Sequence, residues 1–303
     1  MKHPEKIIKK IIKLKKAGYS SRAIAGKLGI GKTSVNENWN KYLNCPQNRM
    51  KILFFDLETA PSIVAVFGRW QQNIGPESVI KEGGFILSAC WKFNGDADVT
   101  QCTLTPEEAR KGDDSRIVGE LYEAFENADA VCAHNGNKFD VPVFKTRLIA
   151  NNMPPPRRVK VIDTLSIAKG LKFNSNKLES LGNYLGVGRK IKTEGMPLWL
   201  SCMEGDEESL KTLSDYNRQD VVLLEQVYEK LKAFNQKGPN AGLFFNDGQV
   251  HCPVCGSTHL IYTGNKVTTN VSVFEEVQCN SCGHRSRTRQ PLNDTCSRKK
   301  LLS

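Results

Sequence analysis

Apolar and polar positions in the first 44 residues recur at the spacing of short amphipathic helices. Four isoleucines between residues 7 and 12 share one face of a first helix, with lysines on the opposite face, and Gly18 ends it. Serines at positions 20 and 21 can cap a second short helix, and a third begins near residue 33 and ends near residue 43. Residues 1–44 therefore predict a small all-α module.

A different pattern follows residues 44–48, which we interpret as a polar linker. Between residues 50 and 234, short apolar runs typical of strands alternate with amphipathic segments typical of helices. The predicted strands cover residues 51–55, 85–93, 98–104, 130–134 and 159–162, and the predicted helices cover residues 115–127, 138–151, 178–185 and 210–234. Three strands in a meander, followed by parallel strands joined by helices, predict an α/β domain with a mixed sheet flanked by helices. This order resembles that of a ribonuclease H-like sheet.

Near the end of the chain, four cysteines form two Cys-x-x-Cys pairs that are separated by 23 residues. They are Cys252, Cys255, Cys279 and Cys282. Two such pairs can bring four thiolates into a tetrahedron around one Zn²⁺ ion. The strand-forming runs 260–263 and 271–274, with Gly264 and Asn265 as the turn between them, resemble a zinc ribbon. Residues 250–290 therefore predict a module with one structural zinc ion, and disulfide bonds are the alternative.

Composition and charge indicate a soluble globular protein with a polyanionic partner. Of the 303 residues, 39% are hydrophobic and 25% charged. No apolar run approaches the roughly 18 residues that span a bilayer, and no signal peptide is evident, so we expect a cytoplasmic location and no membrane partner. The net charge of +11 divides into +10 for residues 1–50, −2 for residues 51–246 and +3 for residues 247–303. Basic flanks around a near-neutral middle favour nucleic acid as the partner, although solubility alone is an alternative.

Three short acidic motifs, far apart in the sequence, are the strongest candidates for chemistry. Asp56 and Glu58 stand at the end of a predicted strand with their side chains on one face, and Asp140 lies early on a predicted helix. Tyr216 and Asp220 are four residues apart on another helix and share one face. Gathered carboxylates repel one another unless cations lie among them, and Mg²⁺ prefers oxygen ligands. The motifs therefore predict metal-dependent phosphodiester cleavage.

These motifs resemble those of the DEDD superfamily of 3′–5′ exonucleases in its tyrosine form. The resemblance covers most of residues 50–234, and the chain is similar to the proofreading domains of family-B DNA polymerases. It implies that two Mg²⁺ or Mn²⁺ ions are held by the four motif carboxylates, Asp56, Glu58, Asp140 and Asp220. It also implies that Tyr216 orients or helps to deprotonate the attacking water. Asn135 and Phe139, in the second motif, would shape the pocket for the terminal nucleotide.

Two further polar residues near the motifs are expected to be structural. His134 is interpreted as a hydrogen-bonding residue at the end of a strand rather than as an acid–base group. Asp163 is interpreted as the cap of the helix after its strand rather than as another metal ligand.

The two flanking modules are candidates for nucleic-acid binding. The first 44 residues resemble a helix-turn-helix of the homeodomain-like or resolvase type, in which the third helix enters the major groove. That helix would present Lys32, Thr33, Ser34 and Asn36 to DNA. A helix on a membrane surface and a protein-docking helical hairpin are the alternatives. After the second cysteine pair, Arg285 and Arg287 either hold phosphates or form a solubilising edge.

The leading hypothesis is a metal-dependent DNA 3′–5′ exonuclease that its flanking modules direct to particular DNA. The same core acting on RNA is a second hypothesis, and a non-catalytic DNA-binding adaptor or regulator is a third. Proteins of DNA replication or repair are candidate partners. The combination of modules on a small basic chain is compatible with a phage or mobile-element protein.

Overall fold

The computed structural model describes residues 5–16, 19–43, 49–68, 70–189 and 193–301. The chain divides into two compact units, Lys51–Pro239 and a second one that combines Met1–Met50 with Asn240–Ser303. Within the described ranges, no helix is both long and apolar enough to cross a lipid bilayer. The predicted helix end at Gly18 and the predicted linker 44–48 lie outside the described residues.

The amino-terminal part of the chain forms three short helices, as predicted. They are α1 (Glu5–Lys16), α2 (Ser21–Leu28) and α3 (Lys32–Leu43). Ser20 caps α2 by accepting a backbone hydrogen bond of 3.2 Å, and Gly29 ends it in the left-handed conformation, with φ at 65°. Ile11, Ile24 and Val35, one from each helix, form the buried core. Ile7 and Ile11 of the isoleucine stripe therefore pack inward, as their spacing indicates.

The larger unit is built on a central sheet with helices around it. Its strands are β1 (Ile52–Thr59), β2 (Ile63–Val64), β3 (Val79–Lys81), β4 (Ile86–Phe93), β5 (Thr100–Thr103), β6 (Ala130–Ala133) and β7 (Lys160–Asp163). Its helices are α4 (Pro106–Lys111), α5 (Ser115–Glu126), α6 (Asp140–Ala150), α7 (Thr164–Lys169), α8 (Leu178–Leu185), α9 (Met196–Met203) and α10 (Glu207–Leu231). The sheet order is β5-β4-β1-β6-β7, with β1 antiparallel to β4 and parallel to β6. The predicted mixed α/β sheet is confirmed.

The central strand β1 extends beyond its parallel neighbour. It pairs with β6 only from Ile52 to Phe54, whereas its pairing with β4 continues to Thr59. The sequence predicted that β1 ends at residue 55, but the strand continues through the acidic pair Asp56 and Glu58. The carboxyl half of β1 therefore has a strand partner on one side only.

The two faces of β1 pack against different helices. Phe55 contacts Phe125 of α5 with ring centroids 5.1 Å apart, and Phe125 contacts Phe144 of α6 at 4.5 Å. On the opposite face, Phe54 contacts Tyr228 of α10 at 5.5 Å. Because side chains alternate along a strand, Asp56 and Glu58 lie on the same face as Phe54. Both acidic residues therefore face the side of the sheet that α10 covers.

Several short elements of this unit were not predicted. The hairpin of β2 and β3, and the helices α4 and α9, lie in segments that the sequence analysis left unassigned. Helix α4 has clear signals at both ends, since Thr105 and Glu108 form a capping box and Gly112 ends the helix with φ at 68°. Its six residues are too few to produce a helical repeat of apolar positions, which is why the pattern missed it.

The carboxyl-terminal module contains a three-stranded sheet. Its elements are β8 (Leu260–Thr268), β9 (Val273–Cys279), β10 (Arg285–Arg287) and the short helix α11 (Thr295–Lys299), and the sheet order is β10-β9-β8. The predicted turn at Gly264 and Asn265 is wrong, because β8 runs through both residues with a register shift between Tyr262 and Lys266. The hairpin turn lies instead at residues 269–272. Gly264, with φ at 80°, lies at the register shift within β8 and does not end the strand.

Candidate active site

Three of the predicted carboxylates meet between β1 and α10. One oxygen from each of Asp56, Glu58 and Asp220 lies within 4.8 Å of the other two. Asp56 and Glu58 share a face of β1, and Asp220 projects from the buried side of the helix that covers this face. Such an arrangement of oxygen donors can hold a divalent metal ion. We call these three residues the carboxylate cluster.

Asp140 lies beside β1 but outside the carboxylate cluster. It is the first residue of α6 and is 2% exposed, and its carboxyl group accepts hydrogen bonds from its own backbone and from that of Leu57. Its Oδ2 atom is buried and has no hydrogen-bond partner among the described residues. Burial raises the pKa of Asp140 to about 7. This carboxyl group therefore lies at the edge of β1 that has no strand partner beyond Phe54.

Asn217 connects the carboxylate cluster to the sheet. It is fully buried on α10, and its amide nitrogen donates a hydrogen bond of 2.7 Å to Oδ2 of Asp56. Its carbonyl oxygen accepts a hydrogen bond of 3.1 Å from the hydroxyl of Ser88 on β4. The sequence analysis gave Asn217 no role. Its spacing of four residues from both Leu213 and Val221, which are buried on the same helix, is the signal that places a polar group on the packed face.

Trp199 on α9 contacts two of the predicted site residues. Its indole nitrogen donates a hydrogen bond of 3.2 Å to Oε2 of Glu58. Its ring meets that of Tyr216 edge-to-face, with centroids 6.1 Å apart. Trp199 lies 141 residues from Glu58 in sequence, and no local pattern marks it. Tyr216 is thereby placed next to a residue that touches the carboxylate cluster.

The loop between β6 and α6 is organised by Asp163. The carboxylate of Asp163 caps α7, as predicted, by accepting backbone N–H groups of Leu165 and Ser166. It also accepts backbone N–H groups of Asn135 (3.0 Å) and Asn137 (3.3 Å). Asn135 adopts a φ of 71°, which Asn tolerates better than most residues do. One carboxylate therefore fixes both the helix start and the loop of the second motif.

The other predicted residues of this loop have separate positions. His134 bonds the Thr164 hydroxyl and the Asn176 carbonyl oxygen, both at 2.9 Å, so its interpretation as a hydrogen-bonding residue is confirmed. Phe139 immediately precedes α6 and is 40% exposed, and Asn135 is half-buried. An exposed ring in this position is accessible to a ligand, and its role in nucleotide binding stays a prediction.

The four cysteines of the two pairs form a compact cluster in the carboxyl-terminal module. The four sulfur atoms lie within 4.8 Å of one another, and the Cys252–Cys282 and Cys255–Cys279 pairs are each 3.6 Å apart. Tetrahedral zinc with Zn–S bonds of about 2.3 Å requires sulfurs about 3.8 Å apart, so the spacing fits this ion. All four thiols are free, which excludes disulfides in this structure. A hydrogen bond from Cys255 lowers the pKa of the Cys252 thiol.

The residues predicted to contact nucleic acid in the flanking modules are partly engaged within the protein. On α3, Lys32 and Thr33 are exposed, whereas Ser34 and Asn36 are half-buried. In the carboxyl-terminal module, Arg285 forms an ion pair of 3.0 Å with Glu276, and the guanidinium of Arg287 lies over the ring of Phe274 at 3.7 Å. The nucleic-acid contacts of all six residues remain predictions.

The chain was compared with models of known protein families. Residues 80–232, about half of the chain, match the family described as the RNase_H superfamily. The chain belongs to the RNase H superfamily. Domains of this superfamily are usually those of nucleases. Asp56 and Glu58 precede the matched segment, and Asp140, Tyr216 and Asp220 lie within it.

Among solved structures, the chain is similar to the family B DNA polymerase from the hyperthermophilic archaeon Pyrobaculum calidifontis. The TM-score is 0.46 and the sequence identity 17%, and the similarity covers 61% of this chain and 25% of the polymerase. The chain therefore spans about a quarter of that protein's length. No curated protein matches the chain.

Proposed function

We propose that this RNase H superfamily protein is a metal-dependent 3′–5′ exonuclease that hydrolyses DNA phosphodiester bonds. The observation that carries the proposal is the meeting of Asp56, Glu58 and Asp220 oxygens within 4.8 Å of one another, on a fold that usually serves nucleases. Carboxylates this close repel one another strongly, and a divalent cation relieves that repulsion. A group of acids between a strand and a packed helix has no evident use without such an ion.

The donor set fits magnesium or manganese rather than a softer metal. All three donors of the carboxylate cluster are oxygens, and the buried Oδ2 of Asp140 offers a fourth on the adjacent side of β1. Two bound ions would supply an activated water and neutralise the charge of the leaving oxygen. Asp56 is the residue that would hold both ions, as the resemblance to the DEDD superfamily implies.

The neighbouring side chains have roles that follow from their contacts. The ring of Tyr216 is positioned by Trp199, so its hydroxyl can orient the attacking water by a hydrogen bond. Because an unperturbed tyrosine has a pKa near 10, we assign it this orienting role and not that of a bulk base. The exposed ring of Phe139 and the half-buried Asn135 would hold the terminal nucleotide, the ring by stacking on its base.

The proposal is tested with labelled single strands of DNA and RNA in the presence of Mg²⁺. A 5′-labelled DNA strand should shorten progressively, and a 3′-labelled strand should release labelled mononucleotide at once. Asp56→Ala and Asp220→Ala should abolish both reactions, and Tyr216→Phe should slow them roughly 10²–10⁴-fold if its hydroxyl acts on the water. Asp215→Ala, which removes an exposed acid from the same helix, is the matched control and should leave the rate unchanged.

Other outcomes would select other functions. Faster degradation of RNA than of DNA would move the substrate to RNA. Internal fragments without progressive shortening would exclude an exonuclease. Binding of DNA without any cleavage by the wild-type chain would favour the adaptor or regulator.

The flanking modules are proposed to bring the nuclease to DNA. Residues 1–50 carry a net charge of +10, and their third helix exposes Lys32 and Thr33. A preference of the full chain for one duplex sequence over others at fixed salt, weakened by changes on α3, would support a helix-turn-helix role. Equal affinity for every duplex would contradict it.

A further inference from the structure

The carboxylate cluster is anchored by a network of hydrogen-bonded polar side chains that lies along one face of the sheet. We propose that Asn217 is a positioning residue that fixes the orientation of Asp56 for metal binding, and that Ser88 and Thr103 hold Asn217 in turn. The inference rests on the proposed function for its catalytic consequence, but the metal affinity that it concerns can be measured without nucleic acid.

The hydrogen bonds in this polar network have a fixed direction. The single proton of the Ser88 hydroxyl is donated to the carbonyl oxygen of Asn217 at 3.1 Å. Ser88 also lies 3.0 Å from the Thr103 hydroxyl, so Thr103 must be the donor in that contact. The Asn217 carbonyl oxygen is then turned toward Ser88, and its NH₂ group is turned toward Asp56 at 2.7 Å. The reverse amide orientation would put the carbonyl oxygen against a carboxylate, which is unfavourable.

Backbone pairing places the residues of this polar network next to one another. In the sheet, Ser88 of β4 is paired with Glu58 on β1 and with Thr103 on β5. Directly opposite residues on neighbouring strands project to the same face, so all three lie on the face that α10 covers. Asn217 projects from the buried side of α10 toward Ser88 and is itself fully buried. The arrangement is therefore part of the packed interior rather than of a mobile surface.

A neutral donor suits this position better than a cation. The Asn217 amide orients Asp56 without cancelling its negative charge, whereas a lysine or arginine would compete with the metal for the same carboxylate. Partners that orient a metal ligand in this way typically change metal affinity or activity 10–100-fold when they are replaced. We therefore expect Asn217 to control how well the cluster holds its ions.

The test is the affinity of the purified full-length chain for Mn²⁺, followed by electron paramagnetic resonance. Asn217→Leu keeps the branched shape of the side chain, at a larger volume, but removes both hydrogen bonds, and should weaken Mn²⁺ binding about 10–100-fold. Asn151→Leu is the matched control, because Asn151 makes the same amide-to-carboxylate contact, at 2.9 Å to Asp114, elsewhere in this unit. It should leave Mn²⁺ affinity unchanged. Ser88→Ala, which keeps Asn217 but frees its carbonyl oxygen, should give a smaller loss and serves if Asn217→Leu does not fold.

Kinetics separate positioning from a general loss of folded protein. With Asn217→Leu, higher Mg²⁺ should restore much of kcat while the KM for the nucleic acid stays constant. A merely unstable variant would instead show a lower active fraction that added metal does not recover. Unchanged Mn²⁺ affinity in Asn217→Leu, or an equal loss in Asn151→Leu, would overturn the inference. A wild-type chain that binds Mn²⁺ but cleaves nothing would remove the proposed function and leave this inference standing.

Discussion

A carboxyl group buried as deeply as that of Asp140 is surrounded by protein atoms that favour its neutral form. Its pKa is raised to about 7, mainly by this burial, even though backbone hydrogen bonds from Leu57 and from Asp140 itself favour the charged form. Under the proposed function, protons and divalent cations would therefore compete for this part of the candidate site close to neutral pH. Asp140 is the residue at which that competition is most sensitive to pH.

The raised pKa predicts how stability changes with pH when metal is absent. Between about pH 4 and pH 7 the folded state holds a proton on Asp140 that the unfolded state has lost, so the free energy of unfolding falls as pH rises, by about 1 kcal/mol per pH unit from this group. Asp140→Asn, which cannot ionise, should show a shallower decline. Urea unfolding at several pH values in a chelator measures both. Parallel curves for wild type and variant would contradict the prediction.

Individual residues of the site differ in how far the sequence could predict them. Asp56, Glu58 and Asp220 belong to short motifs with a defined spacing, so their meeting was expected, and the structure brings them together. Asn217 and Trp199 were not expected to contact them. Their contacts join residues 161 and 141 positions apart, and such distances are set by packing and not by any local pattern.

At the scale of elements, strands and helices with several turns were predicted well and short ones poorly. Strand β2 has two residues, and α9 has eight and is preceded by Gly195, which supplies no side-chain cap. Two residues are too few for a period to be recognised in β2, and the mostly apolar sequence of α9 lacks the polar face that marks an amphipathic helix. The true end of β1 at Thr59 was also missed, because the continuous apolar run stops at residue 55 while pairing with β4 continues. Pairing partners, rather than apolar content, decide where this strand ends.

The packing of α8 against α10 predicts a specific sensitivity to side-chain size. A Cβ atom at Gly182 would lie 2.6 Å from a methyl group of Leu223 and 2.8 Å from the backbone oxygen of Gly188. Gly182→Ala should therefore lower the free energy of unfolding by about 1–3 kcal/mol. Gly119→Ala in α5 is the control, because a Cβ there meets nothing within 4 Å, and it should stabilise the helix by about 0.5–1 kcal/mol. Denaturant unfolding of both variants measures the difference. Equal effects would show that the α8–α10 contact is looser than described.

At the scale of the whole molecule, the charge distribution and the cysteine spacing were the most informative features of the sequence. They separated a near-neutral middle from two basic flanks, and they predicted the sulfur cluster that the structure contains. The structure groups Met1–Met50 with Asn240–Ser303 in one compact unit. Charge and cysteine spacing predicted two separate flanking modules and gave no signal for this grouping.

The sulfur cluster predicts a dependence of the carboxyl-terminal module on zinc. The full chain should contain one zinc ion, and Cys279→Ser should lose it, because three thiolates bind zinc much less well than four. Without the ion, strands β8, β9 and β10 should lose protection from hydrogen exchange. Cys296→Ser, which changes an exposed cysteine outside the cluster, is the control. Elemental analysis and exchange measurements test the two parts, and full protection in a zinc-free chain would contradict the second.

The long separation between the two halves of the carboxylate cluster has a consequence during synthesis. Asp56 leaves the ribosome 164 residues before Asp220, and α10 has to fold against the sheet before the acids meet. A nascent chain therefore cannot complete the carboxylate cluster until α10 has been synthesised, although its basic amino-terminal segment is made first.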